Sequence, residues 1–181
     1  MAIFRDRIKS RGELLTLFVA CSFPIFVYTI PHTLVYVSQW VLRLTMWETL
    51  SVISYVLAAA VIESILIFLV ALLLVMIVPK RFYDGILIPL AAAFSTLTTL
   101  LVVYLNLTQE RSILRDNFTG TLLGLAVYLL LMGLTYIVLR RNQRITAILA
   151  GLIDRLMPLA LLYALFAVIG LVVVITRNVI A

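Results

Sequence analysis

An apolar run at residues 51–78 constrains the fold of this chain more than any other feature. It contains one charged residue, Glu63, near its middle. A helix of this length rises by about 1.5 Å per residue and exceeds the hydrocarbon core of a bilayer, which is about 30 Å thick. Its Leu, Ile, Val and Phe side chains each favour insertion by about 0.3–0.6 kcal/mol, and together they outweigh a cost of about 2.5–3.5 kcal/mol for the acid. The run therefore predicts a transmembrane helix.

Composition extends this interpretation to the whole chain. Hydrophobic residues make up 65% of the sequence and charged residues 12%, so a soluble domain would lack polar surface. The net charge of +6 comes from basic residues that lie beside apolar runs, where anionic lipid headgroups explain them better than nucleic acid does. Because Cys21 is the single cysteine, an intrachain disulfide is excluded.

These patterns predict an all-α polytopic membrane protein, a five-helix transmembrane bundle with short amphipathic interfacial helices, forming one integral membrane domain over residues 1–181. The predicted spans are 13–31, 46–78, 85–107, 118–139 and 158–176. The predicted interfacial segments are 1–11, 32–44 and 142–156.

Helix-ending and helix-starting signals set these boundaries. Pro24 is expected to bend the first span and Pro31 to end it. Thr45 and Glu48 have capping-box spacing, which predicts that the second helix begins at Met46. Asp84 is the expected N-cap of the third helix and Pro158 the start of the fifth span.

The distribution of basic residues predicts a cytoplasmic N-terminus and an outer C-terminus. Ten basic residues then lie inside and four outside, in agreement with the positive-inside rule. The inner set is Arg5, Arg7, Lys9, Arg11, Lys80, Arg81, Arg140, Arg141, Arg144 and Arg155, and the outer set is Arg43, Arg111, Arg115 and Arg177. A bacterial or archaeal plasma membrane is the expected location.

Glu63 is the centre of the predicted intramembrane polar site. The third span carries hydroxyls at a matching depth if it crosses antiparallel to the second, and the site residues are Glu63, Ser95, Thr96 and Thr99. One interpretation is packing, in which a neutral Glu63 hydrogen-bonds to one of these hydroxyls or to a partner protein. The alternative is a proton or cation site, since intramembrane acids are enriched in function.

Small residues predict close helix contacts at Gly120, Gly124, Ala59 and Ala60. His32, the single histidine, is expected to lie too far towards the outer end of the first span to pair with Glu63. No motif spacing predicts a catalytic constellation, a metal site or a cofactor, although a bound lipid is compatible with the apolar surfaces.

The sequence therefore predicts a non-catalytic integral membrane subunit or accessory protein of a larger complex. Its expected contacts are the lipid bilayer and a membrane-protein partner or a second copy of the chain. A small transporter or channel component using Glu63 is the alternative. A weaker one is a lipid-modifying enzyme whose outer face carries His32, Glu48, Glu110 and Asp116. Five spans in this orientation also resemble the membrane anchors of envelope phosphotransferases and sulfatases, which implies an anchor of a cell-envelope enzyme.

Overall fold

The computed structural model describes residues 11–110 and 118–180, and these residues contain helices and no strand. The helices are α1 (Arg11–Val41), α2 (Met46–Ile77), a 3-10 turn (Lys80–Phe82), α3 (Leu87–Glu110), α4 (Phe118–Arg141) and α5 (Gln143–Ile180). Each of the five α-helices is long and apolar enough to cross a membrane. The all-helical prediction is thus confirmed. The predicted interfacial segment 1–11, except for Arg11, and Asp116 lie outside the described residues.

Helix α1 is the central element of the bundle. It packs against α2, α3 and α5, whereas α4 packs mainly on α3. Within its most apolar window 44% of α1 is buried, compared with 11% of α4. The core residues of α1 therefore face three neighbours, and they include Leu17, Val19, Ala20, Cys21, Ile25 and Phe26.

Helix α1 differs from its predicted form because it does not end at Pro31. Pro24 and Pro31 both lie inside one helix of 31 residues, so residues 32–41 extend α1 instead of forming a separate interfacial segment. Proline removes one backbone hydrogen bond, but packed neighbours and hydroxyl side chains can compensate for that loss in an apolar bundle.

The capping box at the start of α2 is confirmed. The hydroxyl of Thr45 accepts a hydrogen bond from the Glu48 backbone N–H at 3.3 Å, and the Glu48 carboxylate accepts one from the Thr45 N–H at 2.8 Å. Two otherwise unpaired N–H groups of the helix start are thereby satisfied. Helix α2 begins at Met46, as the spacing predicts.

Helix α3 starts two residues later than the sequence predicts. Gly85 has a φ of +77°, in the left-handed region that a helical first turn does not use. Asp84 belongs to the turn before it, where its N–H donates to the carbonyl of Lys80 at 2.9 Å. Asp84 is therefore not the N-cap of α3, which begins at Leu87.

Helix α5 joins two segments that the sequence separates. It is one helix of 38 residues with Pro158 in its interior, so 142–156 is not an independent surface helix. Asn142 caps it, since the Asn142 side-chain oxygen accepts from the N–H groups of Arg144 at 3.1 Å and Ile145 at 3.4 Å. Only part of its apolar surface packs on the bundle, since Ile153 is buried against Val19 and Ala20 of α1 whereas Ile148 and Leu152 are exposed.

The two ends of the bundle differ in composition. The basic end carries Lys80, Arg81, Arg140, Arg141 and Arg144, next to the α2–α3 and α4–α5 connections. The aromatic end carries Tyr36, Trp40 and Trp47, next to the α1–α2 connection.

Candidate functional site

A groove between α2 and α3, with α1 as its floor, is the most polar feature of the middle of the bundle. Its volume is about 430 Å³. The polar side chains that line it come from three helices and are Tyr28, Thr29, His32, Glu63, Thr98, Thr99 and Asn106. We call it the Glu63 groove. It is open along one side, so its polar groups are accessible from outside the chain.

The helical period of α2 directs Glu63 into this groove. Ala60 and Ser64 lie on the face of α2 that is buried, with 2% and 0% of their surface exposed. Ala59 and Glu63, four residues apart, lie on the neighbouring face and line the groove. The small side chain of Ala59 leaves the space one turn before Glu63 unfilled. The carboxyl is consequently exposed beside α1, not enclosed by it.

The Glu63 carboxyl has no hydrogen-bond or ion-pair partner among residues 11–110 and 118–180. The hydroxyls predicted to bind it donate elsewhere. The Thr99 hydroxyl donates to the carbonyl of Ser95 at 3.0 Å, and the Thr96 hydroxyl to that of Ala92 at 2.7 Å. The expected intrachain hydrogen bond from Glu63 to the third span is therefore not formed. The reason is geometric, because α2 and α3 both pack on α1 and leave the groove between them.

The structure brings only some of the predicted site residues together. Glu63 and Thr99 line the same groove, and Thr98 joins them. Ser95 is completely buried, and its hydroxyl donates to the carbonyl of Cys21 on α1. Thr96 faces a different cavity, beside Ala20 of α1. One turn of α3 thus presents hydroxyls to three separate environments.

Thr98 adds a link from the groove to α4. Its hydroxyl lies 2.7 Å from the carbonyl of Phe94, to which it donates, and 3.2 Å from the hydroxyl of Tyr128. Tyr128 belongs to α4, so the groove wall formed by α3 is tied to the outermost helix. The spacing of Thr98 and Tyr128 in the sequence contains no signal for this contact, which depends on how α4 packs.

His32 lies in the same groove as Glu63, although the sequence predicts that the two are too far apart to pair. No direct bond joins them in the described part of the chain, but they line one groove, which the sequence did not predict. His32 also belongs to a ladder of rings on one face of α1, with centroid distances of 5.4 Å to Tyr28 and 5.0 Å to Tyr36. Trp40 continues it at 6.1 Å from Tyr36. The signal is visible in the sequence, because the four rings recur at i, i+4, i+8 and i+12.

The predicted small-residue contacts divide between internal packing and open surface. A Cβ on Gly124 would lie 2.8 Å from the Tyr104 ring, so α3 and α4 approach closely there. Gly120 has no atom within 4 Å of the equivalent position. Ala59 and Ala60 both line the Glu63 groove, but Ala60 is buried in a cluster with Phe26 of α1 and Ala59 is exposed.

The closest glycine contact with a neighbouring backbone was not predicted. A Cβ on Gly170 of α5 would lie 3.2 Å from the carbonyl oxygen of Ser54 in α2. Two polar contacts continue this α2–α5 seam towards the aromatic end. Arg177 donates to the hydroxyl of Ser51, and the Tyr55 hydroxyl donates to the side-chain oxygen of Asn178 at 3.2 Å. No regular motif marks these residues, since their meeting depends on the antiparallel register of two distant helices.

The described residues of the outer-face enzyme hypothesis do not form a cluster. Glu48 is engaged in the capping box and His32 lies along the Glu63 groove. Within 11–110 and 118–180, no three His, Cys, Asp or Glu residues are grouped so as to hold a metal ion. What the Glu63 groove offers is a carboxyl among hydroxyl, amide and imidazole groups. Such a set can bind a proton, a cation or a hydrogen-bond donor of another helix.

No family, curated protein or solved structure matches this chain.

Proposed function

We propose that the chain is a multi-pass integral membrane protein that acts as a non-catalytic subunit or accessory protein of a larger membrane complex. The observation that carries this proposal is the unpartnered carboxyl of Glu63 in an open groove near the middle of α2. The groove is the docking site for a transmembrane helix of the partner. That helix supplies a cationic or hydrogen-bond-donating side chain to Glu63.

Energetics favour such a partner. A charged side chain at the centre of a bilayer costs about 2.5–3.5 kcal/mol, and a neutral carboxyl still has unsatisfied polar atoms. A donor on a docked helix would offset this cost. The three helices that form the groove contain no Lys or Arg between residues 12 and 42, 46 and 79, or 87 and 110, so the same three helices of a second copy would bring no cation to Glu63. We therefore propose a different chain as the source of the donor.

Position-specific photo-crosslinking tests the docking site. A crosslinking amino acid at Ala59 is expected to capture a partner whose membrane helix contains a Lys, Arg or other donor residue. The same amino acid at Ile62 is the matched control, because Ile62 is 55% exposed on α2 but does not line the groove. Glu63→Leu is expected to abolish the crosslink at position 59. Identical products from positions 59 and 62, or lipid adducts alone, would exclude a specific docking helix.

We further propose that the basic end faces the cytoplasm, which places the N-terminus inside and the C-terminus outside. The positive-inside rule supports this orientation. Single cysteines at Asn142 and Leu42, labelled in intact cells by an impermeant thiol reagent, provide the test. Leu42 is expected to react and Asn142 to react only after permeabilisation. Native Cys21 is completely buried, so its own reaction with the thiol reagent is expected to be slow. If Asn142 reacts in intact cells and Leu42 does not, the proposed orientation is wrong and the C-terminus is cytoplasmic.

A proton or cation pathway is the second candidate, and one observation favours it. The polar side chains of the groove extend from Glu63 towards the aromatic end through Thr99, His32 and Asn106. Flux of protons or monovalent cations in proteoliposomes of the purified chain tests this function. Glu63→Gln is expected to abolish such flux while leaving the helical content unchanged. Normal flux in that variant would remove Glu63 from the mechanism.

A further inference from the structure

A second polar cavity lies at the basic end of the bundle, far from the Glu63 groove. Its volume is about 390 Å³. It is bounded by the turn before α3, the last turn of α4 and the first turns of α5. Its polar lining consists of Arg81, Asp84, Arg140, Gln143 and Thr146. We call it the basic cavity. It combines charged groups that are distant in the sequence, which the α4–α5 connection brings beside the α2–α3 connection.

Both arginines of the basic cavity are positioned by aromatic rings. The Arg81 guanidinium carbon lies 5.1 Å from the centroid of the Phe82 ring. Arg140 donates to the Tyr136 hydroxyl at 2.7 Å, and its guanidinium carbon lies 5.9 Å from that ring. No carboxylate among the described residues forms an ion pair with either arginine. Since a guanidinium has five N–H donors in a planar fork, most of them remain available to an oxyanion.

The charge around the cavity favours an anion. Asp84 contributes one negative charge to the lining, whereas Arg81 and Arg140 contribute two positive charges. Lys80, Arg141 and Arg144 lie next to these residues in the sequence and add positive potential. The N-terminus of α5, which begins at Gln143, adds the positive end of a helix dipole. Thr146 is not a free donor, because its hydroxyl already donates to the carbonyl of Leu139 at 2.8 Å.

The remaining lining is apolar. Its residues include Ile86, Leu139, Ala147 and Ala150. A ligand with an anionic head and an apolar continuation matches this division. The volume falls within the range of about 300–1,000 Å³ that is common for small-molecule sites. Basic pockets between helices at a cytoplasmic membrane surface are a recurrent site for anionic lipid headgroups.

We propose that the basic cavity binds the phosphate group of an anionic phospholipid, with Arg81 and Arg140 as the two guanidinium ligands. The phosphate oxygens accept hydrogen bonds from both arginines, and the glycerol and the first methylenes of the acyl chains lie against Leu139 and Ala147. Free phosphate has the same oxyanion chemistry without the apolar part. The proposal assumes that the chain spans a membrane, but it is independent of what occupies the Glu63 groove.

Lipid binding to the purified full chain in zwitterionic detergent tests the proposal. The readout is the shift of the melting temperature as phosphatidylglycerol is titrated, with phosphatidylcholine as the reference lipid and inorganic phosphate as the soluble arm. A ligand that binds the folded state raises the melting temperature in a saturable way. Phosphatidylglycerol is expected to saturate. Phosphatidylcholine has the same phosphate beside a choline cation, which the positive charge around the cavity repels, so it is expected to bind at least about tenfold more weakly. Inorganic phosphate is also expected to bind at least about tenfold more weakly, because it lacks the apolar contacts.

Variants that remove the same number of charges distinguish binding in the basic cavity from general electrostatic attraction to the basic end. The double variant R81Q/R140Q is expected to weaken apparent phosphatidylglycerol binding at least about tenfold, because it removes two charge-assisted contacts. R141Q/R144Q removes the same charge from residues that do not line the cavity, and it is expected to change binding by less than about threefold. Asp84→Asn, which removes the repelling carboxylate, is expected to strengthen binding.

Three outcomes would overturn the proposal. Equal losses in the two double variants would show diffuse attraction by the basic end. Unchanged binding in R81Q/R140Q would show that the cavity is not the site. Saturation by inorganic phosphate at the same concentration as phosphatidylglycerol would assign the site to a soluble phosphate. The melting temperature of each variant without lipid serves as the folding control, and both arginines are exposed, so their replacement is expected to leave the fold intact.

Discussion

The hydroxyl of Ser95 donates a hydrogen bond to the backbone carbonyl of Cys21, and both residues are fully buried. The contact joins α3 to the central helix α1 three residues before Pro24. It is a polar link at a point where proline weakens the hydrogen-bond ladder of α1. Ser95 therefore stabilises the scaffold under the Glu63 groove and does not belong to the groove itself.

Ser95→Ala is expected to lower the free energy of unfolding by more than about 0.6 kcal/mol, the average for side-chain hydrogen bonds between membrane helices, and by up to about 1.7 kcal/mol, because the bond is fully buried. Thr96→Ala is the control, because the Thr96 hydroxyl is exposed and donates within its own helix. That control is expected to change stability by less than about 0.5 kcal/mol. Denaturation in mixed detergent micelles measures both. Equal effects would mean that the Ser95–Cys21 bond contributes nothing specific.

Gly170 is expected to set the distance between α2 and α5. Gly170→Leu forces side-chain atoms against the Ser54 backbone, and overpacking of this kind costs about 1–3 kcal/mol. Gly133→Leu places the same side chain where no atom lies within 4 Å and is expected to be tolerated. Melting temperatures by circular dichroism compare the two variants. A Gly170→Leu protein as stable as Gly133→Leu would contradict the close approach of these helices.

Gly120 and Gly124, both in α4, are expected to respond differently to substitution. Gly124→Val is expected to destabilise the α3–α4 contact, because its Cβ would lie 2.8 Å from the Tyr104 ring. Gly120→Val meets no atom of the chain and is expected to leave the isolated protein unchanged. Proteolysis of the purified variants in detergent measures the difference. If Gly120→Val instead disrupts a larger complex, Gly120 marks a partner contact.

Thr45→Ala is expected to destabilise the protein by about 1 kcal/mol, the usual cost of losing an N-cap side chain. The reason is that the Thr45 hydroxyl accepts from the Glu48 N–H. Thr176→Ala is a matched control, because its hydroxyl donates to carbonyls of its own helix and caps no N–H group. The difference in unfolding free energy between the two variants isolates the cap. A difference near zero would indicate that lipid or detergent headgroups replace it.

Sequence patterns predicted the structure correctly where the interacting residues lie within a few positions of each other in the chain. The Thr45–Glu48 box is one example, since both partners lie within one helical turn and their bonds do not depend on any other element. The proline signals were less reliable. Pro31 and Pro158 both lie inside helices, and the local rule that a proline ends a helix does not predict this.

The site was predictable in part. Glu63 was identified because an acid in an apolar run is unusual at any depth. Its surroundings were not, because the helices that carry Ser95, Thr96 and Thr99 are apolar on most sides and their sequence does not show which face is buried. The packing of α3 on α1 sends Ser95 into the core and Thr96 to another cavity, and it leaves Thr99 and His32 beside Glu63.

The sequence by itself determined the number of long apolar helices, the start of α2 and the presence of one acid at mid-helix, because each follows from hydropathy, length or contacts within one turn. Only the tertiary structure decided that α1 is central, that α2 and α3 diverge around it, and that Arg81 and Arg140 share a cavity. The physical reason is that these arrangements depend on packing between helices far apart in the chain, where nearly uniform apolar surfaces contain little directional information.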